Sequence, residues 1–253
     1  MSDASEMERA RGDVHRTLTV VDMAWPDQCN HHGTLFGGAA LSWLDRAAFI
    51  LASRELGGAV VTAALDQVQF SAPLPSGHLG ECQARIVRRG RRSATVRCDL
   101  IGEDLLLGSR QTCLQADFVM VRREADDSDA AAPTEDRATT VDEGDAHVAE
   151  IVFPGHVNHR GVLHGGPAMA WLAKCGFVAA TRRLRRPLVM ARADRLDFLA
   201  PARVGDVVDV RCRVEHVGRR SIAVRAVMDA SDPVGAHPRR CCEVLLTYVA
   251  LSD

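Results

Sequence analysis

The chain has 253 residues, of which 47% are hydrophobic and 25% charged, and its formal net charge is −2. This length accommodates one large domain or two of ordinary size. The near-neutral charge excludes a general electrostatic attraction to nucleic acid, and no apolar run approaches the roughly 20 residues of a membrane-spanning helix. We therefore expect a globular protein that binds neither nucleic acid nor membrane.

The first half of the chain predicts one strand, one long helix and four further strands. Residues 1–16 have mixed charge and lack the apolar core of a secretory signal, which predicts a flexible leader and a cytoplasmic location. Alternating β-branched residues predict a strand over 17–23. Apolar residues at three- and four-residue steps predict a helix over 39–55, which Gly57 ends. The same reasoning predicts strands over 59–71, 79–88, 93–101 and 111–122.

The following segment has a different composition. Residues 124–145 carry nine Asp or Glu against the single Arg137, and Val141 is their only large apolar residue. Such a segment cannot bury enough apolar surface to offset the entropy of ordering it. We therefore predict an acidic linker over 124–146, between a first domain at 17–123 and a second at 147–253.

The two predicted domains are copies of each other. The loop that precedes the first helix recurs 128 residues later, and 21 of the 52 positions from 26 to 77 are identical in the second copy. An internal repeat on this scale indicates duplication of one fold. The shared positions of the loop are Asn30, Gly33, Gly37 and Gly38 in the first copy and Asn158, Gly161, Gly165 and Gly166 in the second. One difference matters for chemistry, because Asp45 in the first helix corresponds to Ala173 in the second.

The eight cysteines form no Cys-x-x-Cys pair and have no zinc-ligand spacing. Most lie in apolar strand or helix patterns, so we expect free, buried thiols and no metal site. His31, His159 and His164 accompany the repeated loop without nearby acidic ligands. A polar lining role is expected for His159 and His164.

The repeated pattern resembles one protein family. Asn-x-x-Gly-x-x-x-Gly-Gly before a helical Asp, followed by Asp-x-x-x-Phe-x-x-Pro-x-x-x-Gly at 66–77 and 194–205, is similar to acyl-CoA thioesterases with two hotdog domains in one chain. The resemblance implies an α+β fold in which an antiparallel sheet wraps each long helix and the two sheets pair side by side. It also implies acyl-CoA as the substrate, bound at the seam, no separate cofactor, and a homo-oligomer.

The resemblance also implies roles for the helix carboxylate and the loop amides. Thioester hydrolysis needs an activated water or nucleophile, which Asp45 would supply as general base or nucleophile. In such enzymes the loop Asn of one domain faces the helix Asp of the other. Asp45 would then meet Asn158 in a competent site, and Ala173 would meet Asn30 in a degenerate one. Alternatively, Asp45 is a solvated surface residue and each Asn closes a turn.

Other candidate residues would bind the thioester oxygen or the phosphates of CoA. Backbone N–H groups at a helix start suit a developing oxyanion, which favours Gly165 and Gly166. Gly37 and Gly38 are the alternative donors, and both pairs could simply allow close packing. Basic hairpin tips suit phosphate, although they could also be solvated turns. These tips contain Arg91, Arg92 and Ser93 in the first copy and Arg219, Arg220 and Ser221 in the second.

The leading interpretation is an acyl-CoA thioesterase with one competent site per chain. The alternative is a double hotdog protein that binds or senses acyl-CoA without cleaving it, since Ala173 shows that one copy tolerates loss of the carboxylate. A hydroxyacyl-thioester dehydratase would need a His and an acid at other motif positions, and these positions do not carry them.

Overall fold

The structure of the protein is a computed structural model that describes residues 17–123, 146–233 and 238–251. The first copy begins with strand β1 (Thr17–Met23) and a loop that leads into helix α1 (Gly37–Leu56). Gly57 ends this helix with a φ of 64°, a left-handed conformation that favours glycine. The strands that follow are β2 (Ala59–Phe70), β3 (Leu79–Arg89), β4 (Ser93–Glu103) and β5 (Arg110–Arg123).

The second copy repeats this order with one interruption. Its elements are β6 (Ala146–Ile151), α2 (Gly165–Leu184), β7 (Leu188–Ala193), β8 (Leu196–Phe198), β9 (Val207–Val217), β10 (Ser221–Ser231) and β11 (Arg239–Ala250). Strands β7 and β8 occupy the place of β2, which is continuous but irregular there, with Gln67 at a φ of 53°. In both copies, therefore, the strand that follows the helix is irregular or interrupted where it meets the other copy.

All strands join one antiparallel sheet in the order β1-β3-β4-β5-β2-β7-β11-β10-β9-β6, with β8 pairing both β2 and β11. The two copies meet where β2 pairs β7 and β8, through registers such as Val68 opposite Ala193 and Leu65 opposite Leu196. Because the pairing closes the inner edge of each half-sheet, backbone N–H and C=O groups bond between the copies. This is the predicted double hotdog arrangement.

The two helices pack against each other inside the sheet, at their first turns. A Cβ added to Gly38 would lie 2.8 Å from the Cα of Ala170, and one added to Gly166 would lie 3.1 Å from the Cα of Ser42. The two contacts are equivalent, since 38 and 42 become 166 and 170 in the second copy. Glycine at both positions lets the helix starts approach to backbone contact.

The core lies between the helices and the sheet. Residues of α1 such as Leu41, Leu44 and Leu51 are buried, and so are the inward residues of the strands. The eight cysteines are free, and all except Cys29 are buried, as predicted. Adjacent Cys241 and Cys242 form no disulfide.

The predicted elements of the first copy agree with the structure to within two residues at each end. The predicted leader and most of the predicted linker lie outside the described residues. Strand β6 begins at Ala146, one residue before the predicted start of the second domain. Within the described ranges, no helix combines the length and apolarity needed to cross a membrane.

The close crossing of the helices makes Gly38 a sensitive position. We expect Gly38→Ala to lower the free energy of unfolding by roughly 1–3 kcal/mol, the usual cost of overpacking a well-packed core. Gly155→Ala is the matched control, because a Cβ at Gly155 would meet nothing within 4 Å. Urea denaturation followed by circular dichroism measures both. Equal stability of the two variants would contradict the close crossing.

Candidate active site

Asp45 joins the two copies through its carboxylate. The side chain lies in the third turn of α1, and the residue is only 2% exposed. The hydroxyl of Thr62, on β2, donates to Oδ1 at 2.7 Å, and the backbone N–H of Gly166 donates to Oδ2 at 2.8 Å. Gly166 belongs to the first turn of α2, so a carboxylate of the first copy binds the helix start of the second. The positive end of a helix dipole favours an anion at this place.

The pKa of Asp45 is raised above its ordinary value. Burial is the largest cause, because it disfavours the charged carboxylate. The hydrogen bonds from Thr62 and Gly166 oppose this shift, and nearby His164 opposes it further. The carboxylate is therefore a stronger base than an exposed aspartate, held in a fixed orientation by two donors.

Asn158 lies in the loop before α2 and is 7% exposed. Its Oδ1 accepts hydrogen bonds from the backbone N–H of Arg160 at 2.9 Å and of Val162 at 3.3 Å. The oxygen closes the loop, which leaves the side-chain N–H groups for a ligand. The oxygens of Asp45 bind Thr62 and Gly166 rather than Asn158. Asn158 nevertheless lines a cleft together with Thr62 and Gly165, and these two residues lie against the carboxylate of Asp45.

This cleft, called here the Asp45 cleft, has a volume of about 630 Å³ and lies between the copies. Thr62, Asn158, His164 and Gly165 line it, and Asp45 lies directly behind this wall. A Cβ at Gly165 would come within 2.9 Å of Oδ1 of Asp45, so only glycine permits the contact. Because the N–H of Gly166 is already bonded to Asp45, Gly165 is the member of the predicted donor pair whose N–H is open to a ligand.

A second cleft lies at the equivalent place around Asn30 and is called here the Asn30 cleft. It has a volume of about 410 Å³, and every residue that lines the Asp45 cleft has its counterpart, 128 positions away, in this lining. Asn30 closes its loop in the same way, since its Oδ1 accepts from the backbone N–H groups of His32 and Thr34. The two clefts are therefore built from equivalent positions and from loops that are closed in the same way.

Their chemistry differs at and around the position of Asp45. Ala173 stands in the place of Asp45, Met190 in the place of Thr62, and Phe36 in the place of His164. The helix glycines Gly37 and Gly38 contact Met190 and Ala173 instead of a hydroxyl and a carboxylate. The Asn30 cleft consequently has no group in these positions that could take a proton from water.

The basic hairpin tips line neither cleft, although Ser93 pairs with Val121, a lining residue of the Asp45 cleft. Arg91, Arg92 and Ser93 join β3 to β4, and Arg219, Arg220 and Ser221 join β9 to β10. Arg92 donates to the carbonyl of Arg122, which itself binds the last turn of α1. The first tip therefore sits beside the C-terminal end of a helix, whereas the clefts lie at the N-terminal ends. His159 is exposed and lines neither cleft, unlike His164.

Three polar or charged residues of the Asp45 cleft were not among the predicted site residues: Thr62, Arg123 and Arg160. The sequence does contain a signal for them. The equivalent residues of the other copy are Met190, Leu251 and His32, which are apolar or less charged. The difference in polarity between the copies therefore identifies these three positions, which the loop and helix motifs do not include.

The chain was compared with known proteins. The sequence model of a protein family described as the thioesterase superfamily matches residues 32–109 and 160–236. Acyl-coenzyme A thioesterase 11 of Mus musculus is 24% identical over 290 aligned residues, which cover 96% of this chain and 49% of the mouse protein. An acyl-CoA hydrolase structure from Agrobacterium tumefaciens is 34% identical, with 93% of this chain and 95% of that chain covered and a TM-score of 0.41. An acyl-ACP thioesterase structure from Bacteroides thetaiotaomicron has a TM-score of 0.61 at 12% identity, and the match covers 93% of this chain and 99% of that chain.

The family model matches more than half of the chain, with one segment in each copy, and the chain therefore belongs to the thioesterase superfamily. The predicted family is confirmed. The chain spans about half the length of the mouse relative, so the activity of that whole protein does not transfer directly. The Bacteroides structure supports the fold alone.

The buried charge of Asp45 makes a stability prediction. Because the folded-state pKa is raised, the folded protein holds this proton more tightly than the unfolded chain, and stability is lost as pH rises through that pKa. We expect Asp45→Asn to melt at a higher temperature than the parent at pH 7. Asn can still accept from Gly166 and donate to Thr62. The advantage should shrink as pH falls toward the pKa of an unfolded aspartate. Differential scanning calorimetry at several pH values measures it, and a lower melting temperature at pH 7 would contradict the argument.

Proposed function

We propose that the protein hydrolyses acyl-CoA thioesters to free carboxylic acids and CoA at the Asp45 cleft. The observation that carries the proposal is the carboxylate of Asp45, raised in pKa and held against the helix start of the other copy. Gly165, with its open N–H, and Asn158, with its side-chain amide, line this cleft, and together with Asp45 they would supply the groups that thioester hydrolysis needs. The names of the relatives support the same substrate class.

In the proposed reaction Asp45 acts as general base. The thioester carbonyl enters the Asp45 cleft with its oxygen toward the N–H of Gly165, where the helix dipole favours the developing oxyanion. Asn158 orients the water through its side-chain N–H groups. Asp45 takes the proton while the water oxygen attacks the carbonyl carbon, and collapse of the tetrahedral intermediate breaks the C–S bond. Thr62 and Gly166 hold both oxygens of Asp45 in place, which suits a base that takes a proton without leaving its position.

The cleft also offers charges for the CoA phosphates. Arg123 and Arg160 both line it, and the planar guanidinium group suits bidentate contact with phosphate. We assign this role to them in preference to the arginines of the hairpin tips, which line neither cleft. A cytoplasmic location and assembly into a homo-oligomer complete the proposal.

The composite site predicts an asymmetric response to matched substitutions. Asn158→Asp keeps the oxygen that closes the loop but removes the amide donor, and Asn30→Asp makes the same change in the other copy. We expect Asn158→Asp and Asp45→Asn to lower kcat by about 10²- to 10⁴-fold, the usual contribution of a positioned base. Asn30→Asp should retain most of the activity.

The measurement is release of free CoA from a panel of acyl-CoA esters, followed with a thiol reagent. Loss of activity in Asn30→Asp but not in Asn158→Asp would reverse the assignment of the two clefts. Saturable binding of acyl-CoA with no thiol release by the parent would favour the alternative function, an acyl-CoA-binding protein without hydrolysis.

Thr62 should set the pH dependence of the reaction. Activity requires ionised Asp45 and is lost as pH falls through its pKa. The hydrogen bond from Thr62 lowers that pKa, so Thr62→Val should move the acid limb of the kcat profile to higher pH. Thr62→Ser, which keeps the hydroxyl, should restore the original limb. An unchanged acid limb in Thr62→Val would show that another group governs it.

A further inference from the structure

The Asn30 cleft lacks the proposed catalytic groups but remains open, with a volume of about 410 Å³. Beyond the positions that it shares with the Asp45 cleft, its lining extends inward past Ala173 to Leu114, Phe177, Leu188 and Tyr248. The hydroxyl of Tyr248 is satisfied, since it donates to the carbonyl of Ala173 at 2.8 Å. The walls of this extension are therefore apolar side chains, and they surround open space rather than a collapsed core.

The Asn30 cleft has also lost the charges at its mouth. Leu251 stands in the place of Arg123, and His32 in the place of Arg160. At five equivalent positions the change is thus from a charged or polar residue to an apolar or less charged one: Ala173, Met190, Phe36, His32 and Leu251. A cleft without these arginines no longer complements the several negative charges of CoA.

A small polar group remains at the entrance. The Nε2 atom of His32 is buried and has no hydrogen-bond partner among the described residues. Asn30, beside it, uses its side-chain oxygen to close the loop, which leaves its N–H groups for a ligand. A buried polar atom without a partner is costly unless a ligand or water satisfies it.

We infer that the Asn30 cleft binds a free fatty acid, with its chain in the apolar extension and its carboxyl group at His32 and Asn30. The ligand class draws on the proposed function, because a fatty acid is the product of that reaction without its CoA part. The cleft would hold this molecule without chemistry, since Ala173 and Met190 cannot activate water. The protein would then combine one hydrolytic cleft with one lipid-binding cleft.

Titration calorimetry with saturated fatty acids of increasing length tests the inference on the whole chain. We expect saturable binding of one molecule per chain at the tighter site, which CoA does not displace. Each added methylene should tighten binding roughly three- to fourfold until the cavity is full, as expected for burial of apolar surface. Absence of saturable binding, or affinity that does not depend on chain length, would overturn the inference.

Two matched variants identify the cleft that is occupied. Ala191→Trp narrows the Asn30 cleft, and Ala63→Trp makes the equivalent change in the Asp45 cleft. We expect at least tenfold weaker fatty-acid binding in Ala191→Trp with CoA release retained, and the opposite pattern in Ala63→Trp. Fatty-acid binding that is lost in Ala63→Trp but kept in Ala191→Trp would show that the acid occupies the Asp45 cleft as product.

His32→Leu provides a test that does not depend on filling the cavity. It should weaken binding of the fatty acid about tenfold but leave binding of the alkane of the same length, which has no polar head, nearly unchanged. Equal weakening of both ligands would contradict the head-group assignment. The two proposals fail separately, because CoA release by the parent chain tests the hydrolase and fatty-acid binding tests the Asn30 cleft.

Discussion

The contact between the carboxylate of Asp45 and the N–H of Gly166 is the interaction on which the proposed chemistry depends. It exists only because the two helix starts approach to backbone distance, and that approach requires glycine at 38 and 166. The seam between β2 and the β7–β8 pair holds the copies in the matching register. Fold and candidate site therefore share one interface, and a change that separates the helices also removes a donor from the carboxylate.

Burial of this carboxylate opposes stability and favours chemistry. Desolvation raises its pKa, while Thr62 and Gly166 hold it in one orientation. An exposed aspartate would be a weaker base and free to rotate. The protein thus keeps a charge in a place that an apolar residue could fill, as Ala173 does in the other copy. Such a position is expected at a functional site, where local stability gives way to reactivity.

Duplication provides an internal comparison between two clefts of the same frame. The loop asparagine and the helix glycines are retained in both copies, whereas the carboxylate of Asp45, the hydroxyl of Thr62 and the two arginines of the Asp45 cleft are replaced at the equivalent positions around Asn30. The differences at Ala173, Met190 and Leu251 all lie in the lining or directly behind it. They remove charge without closing the space, which is why the Asn30 cleft suits an apolar ligand with a small polar head.

The repeat, the helical and strand periods and the Asp45/Ala173 difference are patterns of the sequence, and they predicted two copies of one fold that differ in one carboxylate. The resemblance to a known family implied the double hotdog. Local patterns could not show that Thr62, Arg123 and Arg160 share a cleft, because these residues lie on different elements and meet only when the sheets pair. They also could not show that Arg92 of the first hairpin tip lies beside the C-terminal end of α1. The packing of the two helix starts brings Gly166 to Asp45, and this contact between residues 121 positions apart arises only in the folded chain.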